Sequence, residues 1–191
     1  MGQYYMPCIL KENWKRCSRP VEISLCSHDY GNGLKLMEHS YVGNRFVNAV
    51  EHVIARFGYD RPFVWCGDYA DTVKCRGRQV DIYSEGSKAS DERKADVASA
   101  TEGKNLSVSP YRYIVNFTKN QYVRVPERED GVWKVHPLPL LCCDGNGRGG
   151  GDYGIEDSRV GSWAYDRIAV TNDDSLLDGM DEIDGVFELD W

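Results

Sequence analysis

One stretch of this chain carries helical periodicity over several turns, and it limits what the rest can be. From Asn44, the apolar residues Phe46, Val47, Val50, Val53, Ile54 and Phe57 recur at steps of three and four. Arg45, Glu51, His52 and Arg56 fall mainly between them. The spacing predicts one principal amphipathic helix over about 44–57, with Gly58 suited to end it. A shorter helical pattern covers 34–39. The other apolar runs are short and bounded by turn residues: 3–10, 21–26, 62–66, 111–117 and 121–125. The last two read as a hairpin through Thr118-Lys119-Asn120. Residues 132–135 add a further strand, and Pro137 and Pro139 suit an extended segment. The expectation is an α+β fold, mainly an antiparallel sheet with one principal helix, in a single compact domain.

With 191 residues, 41% of them hydrophobic, the chain is long enough to bury a real core. Residues 84–109 contain almost no bulky apolar side chain and read as an exposed, mobile insertion. No apolar run approaches the roughly 20 residues needed to cross a bilayer, and no charged-then-apolar leader opens the chain. The expected location is the cytoplasm, with no membrane partner. Seven cysteines without a Cys-x-x-Cys pair read as reduced thiols, and the spacing of Cys17, Cys26 and His28 matches no zinc ribbon or finger.

The net charge of −7 is concentrated at one end. From Asp173 to Trp191 there are eight acids and no Lys or Arg, which leaves 22 acids against 23 bases in residues 1–172. The organisation expected is a nearly neutral domain over 1–172 and an acidic tail over 173–191. Such a tail is usually solvated. Leu176, Leu177, Met180, Ile183, Val186, Phe187, Leu189 and Trp191 are interleaved with its acids, a pattern that suits docking on a basic partner such as a host protein, or imitation of a nucleic-acid backbone. No basic, aromatic-rich stretch stands out for direct reading of nucleic acid.

The apolar run 138–143 breaks into Asp144-Gly145-Asn146-Gly147-Arg148-Gly149-Gly150-Gly151-Asp152. Glycine lets backbone N–H groups approach a ligand closely and form anion-holding nests, and Arg148 places a guanidinium fork inside the run. Gly145, Asn146, Gly147, Arg148, Gly149, Gly150 and Asp152 are therefore candidate ligand-binding residues. The run is not a Walker A loop, since no Gly-Lys-Ser/Thr follows, and not an EF-hand, since Arg148 and Ile155 occupy the fifth and twelfth positions. A second candidate is Asp68, at the rim where the 62–66 strand ends in Gly-Asp. An internal echo supplies two more. Phe57-Gly58-Tyr59-Asp60-Arg61-Pro62-Phe63-Val64 returns 106 residues later as Trp163-Ala164-Tyr165-Asp166-Arg167-Ile168-Ala169-Val170. Each copy reads as an Asp-Arg turn feeding a strand, so Arg61 and Arg167 either present charge to a ligand or pair across the copies.

Several blocks together, Met1-Gly2-Gln3-Tyr4, 31–38 (Gly-Asn-Gly-Leu-Lys-Leu-Met-Glu), Asp60-Arg61, 67–70 (Gly-Asp-Tyr-Ala), 145–152 and 163–167, resemble a recurrent family of small uncharacterised proteins that begin Met-Gly-Gln-Tyr. Its members occur in bacteria, their phages and prophages, and some fungi. Here residues 8–20 depart from the pattern, where relatives continue into a strand ending Asn-Leu-Asp-Lys-Lys. The resemblance implies no activity, but it makes a phage-encoded counter-defence role a natural expectation.

The leading expectation is thus a binding protein for an anionic small molecule such as a nucleotide, with its cofactors unknown. One alternative is a metal-dependent phosphoesterase using Asp68, Asp144 and Asp152 with His28 or His136. Another is a protein–protein inhibitor acting through the acidic tail.

Overall fold

The computed structural model describes residues 3–145 and 157–187. β1 (Tyr5–Leu10) and β2 (Val21–Ser24) form the hairpin expected at the start, joined through a single turn of 3-10 helix at Trp14–Arg16. α1 (Leu36–His39) and α2 (Arg45–Val53) follow. Asn44 starts α2 as its side chain accepts from the backbone N–H groups of Phe46 and Val47, satisfying two of the donors a helix start leaves open. The helix then widens into a π turn over Ile54–Gly58. A Cβ on Gly58 would lie 2.8 Å from Ile9 Cδ1, so glycine there lets the helix end sit directly on β1.

β3 (Arg61–Gly67) is central. After the small hairpin of β4 (Val73–Cys75) and β5 (Arg78–Val80) come α3 (Ile82–Glu92) and α4 (Lys94–Thr101). The chain continues through β6 (Tyr113–Asn116), β7 (Gln121–Arg124), α5 (Pro137–Cys142), β8 (Cys143–Asp144), β9 (Arg167–Thr171) and β10 (Asp181–Ile183). The large sheet runs β10-β7-β6-β9-β3-β1-β2, with β8 also on β3. The fold is α+β with a mainly antiparallel eight-stranded sheet, and two of its pairs, β3/β8 and β10/β7, are parallel.

Side-chain parity divides the core. Tyr5, Ile9, Phe63 and Trp65 face α2, whereas Met6, Cys8, Leu10, Val64 and Cys66 face α3 and Trp14. α3 lies over β1 and β2 on one face and α4 packs against α2 on the other, so this helix pair wraps the β2 side of the sheet. That corrects the reading of 84–109 as an exposed, mobile insertion over its helical part, 84–101. Ile82, Gly86 and Ala89 of α3, and Val97 and Ala100 of α4, are buried. The small residues that depressed the hydrophobic signal permit close approach, for a Cβ on Gly86 would meet Cys8 Sγ at 2.6 Å.

Three further expectations change. Residues 132–135 form isolated bridges, Tyr41 with Val135 and Glu129 with Val132, instead of a strand. Pro137 and Pro139 open a fully buried helix: proline is at home in a first turn, where no N–H partner is needed, and His136 caps it through Leu138 N–H at 3.2 Å. The acidic segment does not run free over its described length. β10 pairs with β7, Phe187 is buried, and Arg159 donates to the carbonyls of Asp184 (2.6 Å) and Val186 (3.0 Å) while its guanidinium covers the Phe187 ring.

Candidate functional site

β3 and β8 lie side by side in parallel, with Trp65 opposite Cys143 and Cys66 opposite Asp144. Their carboxyl ends therefore emerge together, at Gly67-Asp68 and at Gly145. Crevices at the carboxyl ends of adjacent parallel strands are common ligand sites, because unpaired backbone groups and the following loops converge there. Gly67 and Gly145 meet around Gln3. A Cβ on either would collide with the Gln3 amide, and one on Gly145 would also lie 2.5 Å from the Tyr5 hydroxyl. Gln3 is fully buried. Its Oε1 accepts from Tyr5 OH at 3.2 Å, while its Nε2 has no acceptor among the described residues. An unpaired buried amide donor is expensive to keep, on the order of 1–3 kcal/mol.

Asp144 accepts a 2.5 Å hydrogen bond from Tyr165 OH. Burial, then the neighbouring Cys66 and Asp144, push the Tyr165 phenol well above its ordinary range, so it stays a donor. Tyr165 has φ +68, an unusual backbone for a bulky residue. It is held there by its N–H to Phe63 O (2.8 Å) and by stacking on Trp14 at 5.3 Å.

Of the residues named from the sequence, Asp68 and Gly145 thus lie beside each other's strand ends. The Asp68 carboxylate is engaged, accepting from Tyr4 N–H at 2.9 Å and fastening the start of β1 to the end of β3. Arg61 and Arg167 sit at the opposite end of β3. Six residues of extended chain separate Arg61 from Gly67, roughly 20 Å. Arg61 faces Ile168, and Pro62 faces Arg167, in the β3/β9 ladder, so the two echoed segments pair with each other. Arg167 forms an ion pair with Asp60, and Asp166 bonds Asn116 at 2.8 Å and Lys119 at 3.4 Å. Arg167 and Asp60 thus pair across the two copies, at the end of β3 opposite Gly67. Asn146, Gly147, Arg148, Gly149, Gly150 and Asp152 lie outside the described residues.

Of the residues considered for metal-assisted hydrolysis, Asp152 lies outside the described residues, and Asp68, Asp144, His28 and His136 form no metal-holding group. His136 is buried against Glu51, its Nε2 3.3 Å from Glu51 Oε1 but off the line of a good hydrogen bond. Ser109 Oγ reaches the other carboxylate oxygen at 3.5 Å. The order Ser–Glu–His puts the carboxylate in the middle, so the imidazole is not placed to take the serine proton as a nucleophilic triad requires. Among the described residues, no three His, Cys, Asp or Glu side chains converge as metal ligands. Three buried thiols are held protonated: burial raises Cys8 to about 12 and pushes Cys66 and Cys142 well above their ordinary value.

Gln3 and Tyr165 escaped the sequence reading as site residues. Both lie inside singled-out blocks, and the signal for Gln3 was an amide at the head of an otherwise apolar strand. No family model, curated protein or solved structure matches the chain.

Proposed function

We propose that the protein binds an anionic small molecule, such as a nucleotide, where the carboxyl ends of β3 and β8 open into the glycine-rich segment 145–152. The observation that carries this reading is the Gln3 amide: a buried N–H donor without an acceptor among the described residues, set against Gly67 and Gly145, where no Cβ could be added. An oxyanion is the natural complement of such a donor together with glycine backbone N–H groups. Arg148 supplies the countercharge in this scheme. The use we attach to the binder, sequestration of a host signalling nucleotide by a phage-borne protein, follows from the family resemblance.

Native mass spectrometry of the protein purified gently from a bacterial host, repeated after denaturation, tests the proposal. The expected result is a mass excess that disappears on denaturing and is reduced in Arg148→Ala and Gln3→Leu. A clean apo mass, together with nucleotide affinities that neither substitution changes, would refute it.

A further inference from the structure

A second feature concerns charge. Residues 11–19 and 71–81 contain seven cations (Lys11, Lys15, Arg16, Arg19, Lys74, Arg76, Arg78) against three acids (Glu12, Asp71, Asp81), in a chain of net charge −7. The two segments are joined in space. Arg76 N–H donates to Lys15 O at 2.7 Å, fastening the β4–β5 hairpin to the 3-10 turn at Trp14–Arg16. Arg76 (φ +49) and Gly77 (φ +80) make the tight reversal, with Cys75 opposite Arg78 across it. Between hairpin and turn lies a cleft of about 280 Å³ lined by Ser18, Cys75, Arg76, Arg78 and Val80.

We propose that this cleft binds a phosphate group through the guanidinium groups of Arg76 and Arg78, with Lys15 and Ser18 at its rim. The walls are rigid enough to hold a geometry, since Trp14 and Cys75 are both buried in the core cluster beneath α3. Lys15 adjoins the cleft through its carbonyl, which accepts from Arg76 N–H. Its ammonium lies 5.3 Å from the centre of the Trp14 ring. It also counteracts part of the upward push that burial, first, and Cys17, second, exert on the Cys75 thiol. Arg76 and Arg78 are exposed and have no ion pair among the described residues, whereas Arg19 at the border is already held by Glu92 at 2.8 Å.

Two guanidinium forks and an ammonium exceed the charge of a single carboxylate and match a phosphate dianion or a diphosphate. The cleft is at the small end for ligand pockets, which suits an anionic group better than a whole cofactor. The phosphate is carried either by a small molecule or by a nucleic-acid strand. The proposal stands independently of the reading of the glycine-rich segment, because Arg148 takes no part in it.

Isothermal titration with pyrophosphate and, separately, with a 5′-phosphorylated oligothymidylate tests the site at low salt. Proteins compared are the wild type, Arg76→Asn/Arg78→Gln, Lys15→Gln and Arg148→Ala. Asparagine tolerates the left-handed backbone at position 76, and both arginines are exposed, so an unchanged melting temperature certifies the double variant as folded. Expected is pyrophosphate binding that weakens at least about tenfold in the double variant and less in Lys15→Gln, with the same tenfold loss when the double substitution is made in the Arg148→Ala background. Oligothymidylate binding without pyrophosphate binding, lost in the same double variant, supports the site and identifies a polymer as the phosphate source. Absence of binding to either probe, or affinity unaltered in the double variant, overturns the proposal. Loss confined to Arg148→Ala overturns it while supporting the glycine-segment reading.

Discussion

His39 gives a sharp test of how the core is assembled. The ring is fully buried between Trp65, stacked at 5.5 Å, and Phe46, edge-on at 5.1 Å. Nε2 accepts from the Trp65 indole N–H at 3.0 Å, which leaves Nδ1–H to donate to Gly33 O at 3.1 Å. A second ring proton would point at the indole N–H. Burial is the main reason the imidazole is pushed from its ordinary 6.5 down to about 4, with the Gly33 carbonyl and Glu38 opposing it. Since the folded-state value is the lower one, the unfolded chain binds more protons between these two values. Stability is complete above the unfolded value and is lost as pH falls toward the folded one, by about 3 kcal/mol in all. Between about pH 7 and pH 5 the loss is about 2 kcal/mol. His39→Gln retains an acceptor and a donor without a titrating group. Urea unfolding of both proteins at the two pH values isolates the contribution, because His52, lowered by burial and Lys104, is common to both. Equal losses in wild type and variant would show that His39 is not held neutral by this environment.

Other substitutions address separate joints of the fold. Arg159→Ala removes the donors to Asp184 and Val186 and the cover on Phe187, so hydrogen exchange across 181–187 should accelerate while β1 and β3 stay protected. His136→Asn keeps a helix cap but strips Glu51 of its buried neighbour, and chemical denaturation should register a loss of about 3 kcal/mol. Gly86→Ala forces a methyl against Cys8 Sγ; a net destabilisation of about 1–2 kcal/mol is expected from denaturant midpoints, part of it recovered in the double variant with Cys8→Ala.

The sequence declares the parts of this fold in which local pattern and burial agree. The periodic stripe at 46–57 and the β-rich runs 62–66 and 121–125 form what their residues favour: the stripe and 121–125 bury one face, and 62–66 is apolar enough to be buried on both. What stayed hidden depends on partners far along the chain. α3 and α4 are built from Ala, Ser and Gly with few bulky residues, and their stability comes from fitting closely over Cys8, Met6 and α2, which no local window contains. His136 turned a two-proline segment into a helix by capping it. Of the glycines legible in the sequence, Gly67 and Gly145 are the two that close around Gln3. The Gln3 donor became visible only when a 64-residue separation closed between β1 and β3.

Charge placement is also a consequence of topology. The acids Asp181, Glu182 and Asp184 lie on or beside β10, at the edge of the sheet, where charge discourages another chain from extending the ladder. Five strand spacings separate β10 from β1, about 24 Å. That distance is more than twice the screening length of about 10 Å in ordinary salt, so this edge cannot neutralise the cations beside the β1–β2 turn. The acidity of the whole chain therefore says little about Arg76 and Arg78, whose own and adjoining segments, 11–19 and 71–81, carry seven cations against three acids. An anion approaching them at low salt meets a positive surface on a negative protein, and raising the salt should weaken that encounter while leaving the buried Gln3 amide, deep between β3 and β8, far less affected.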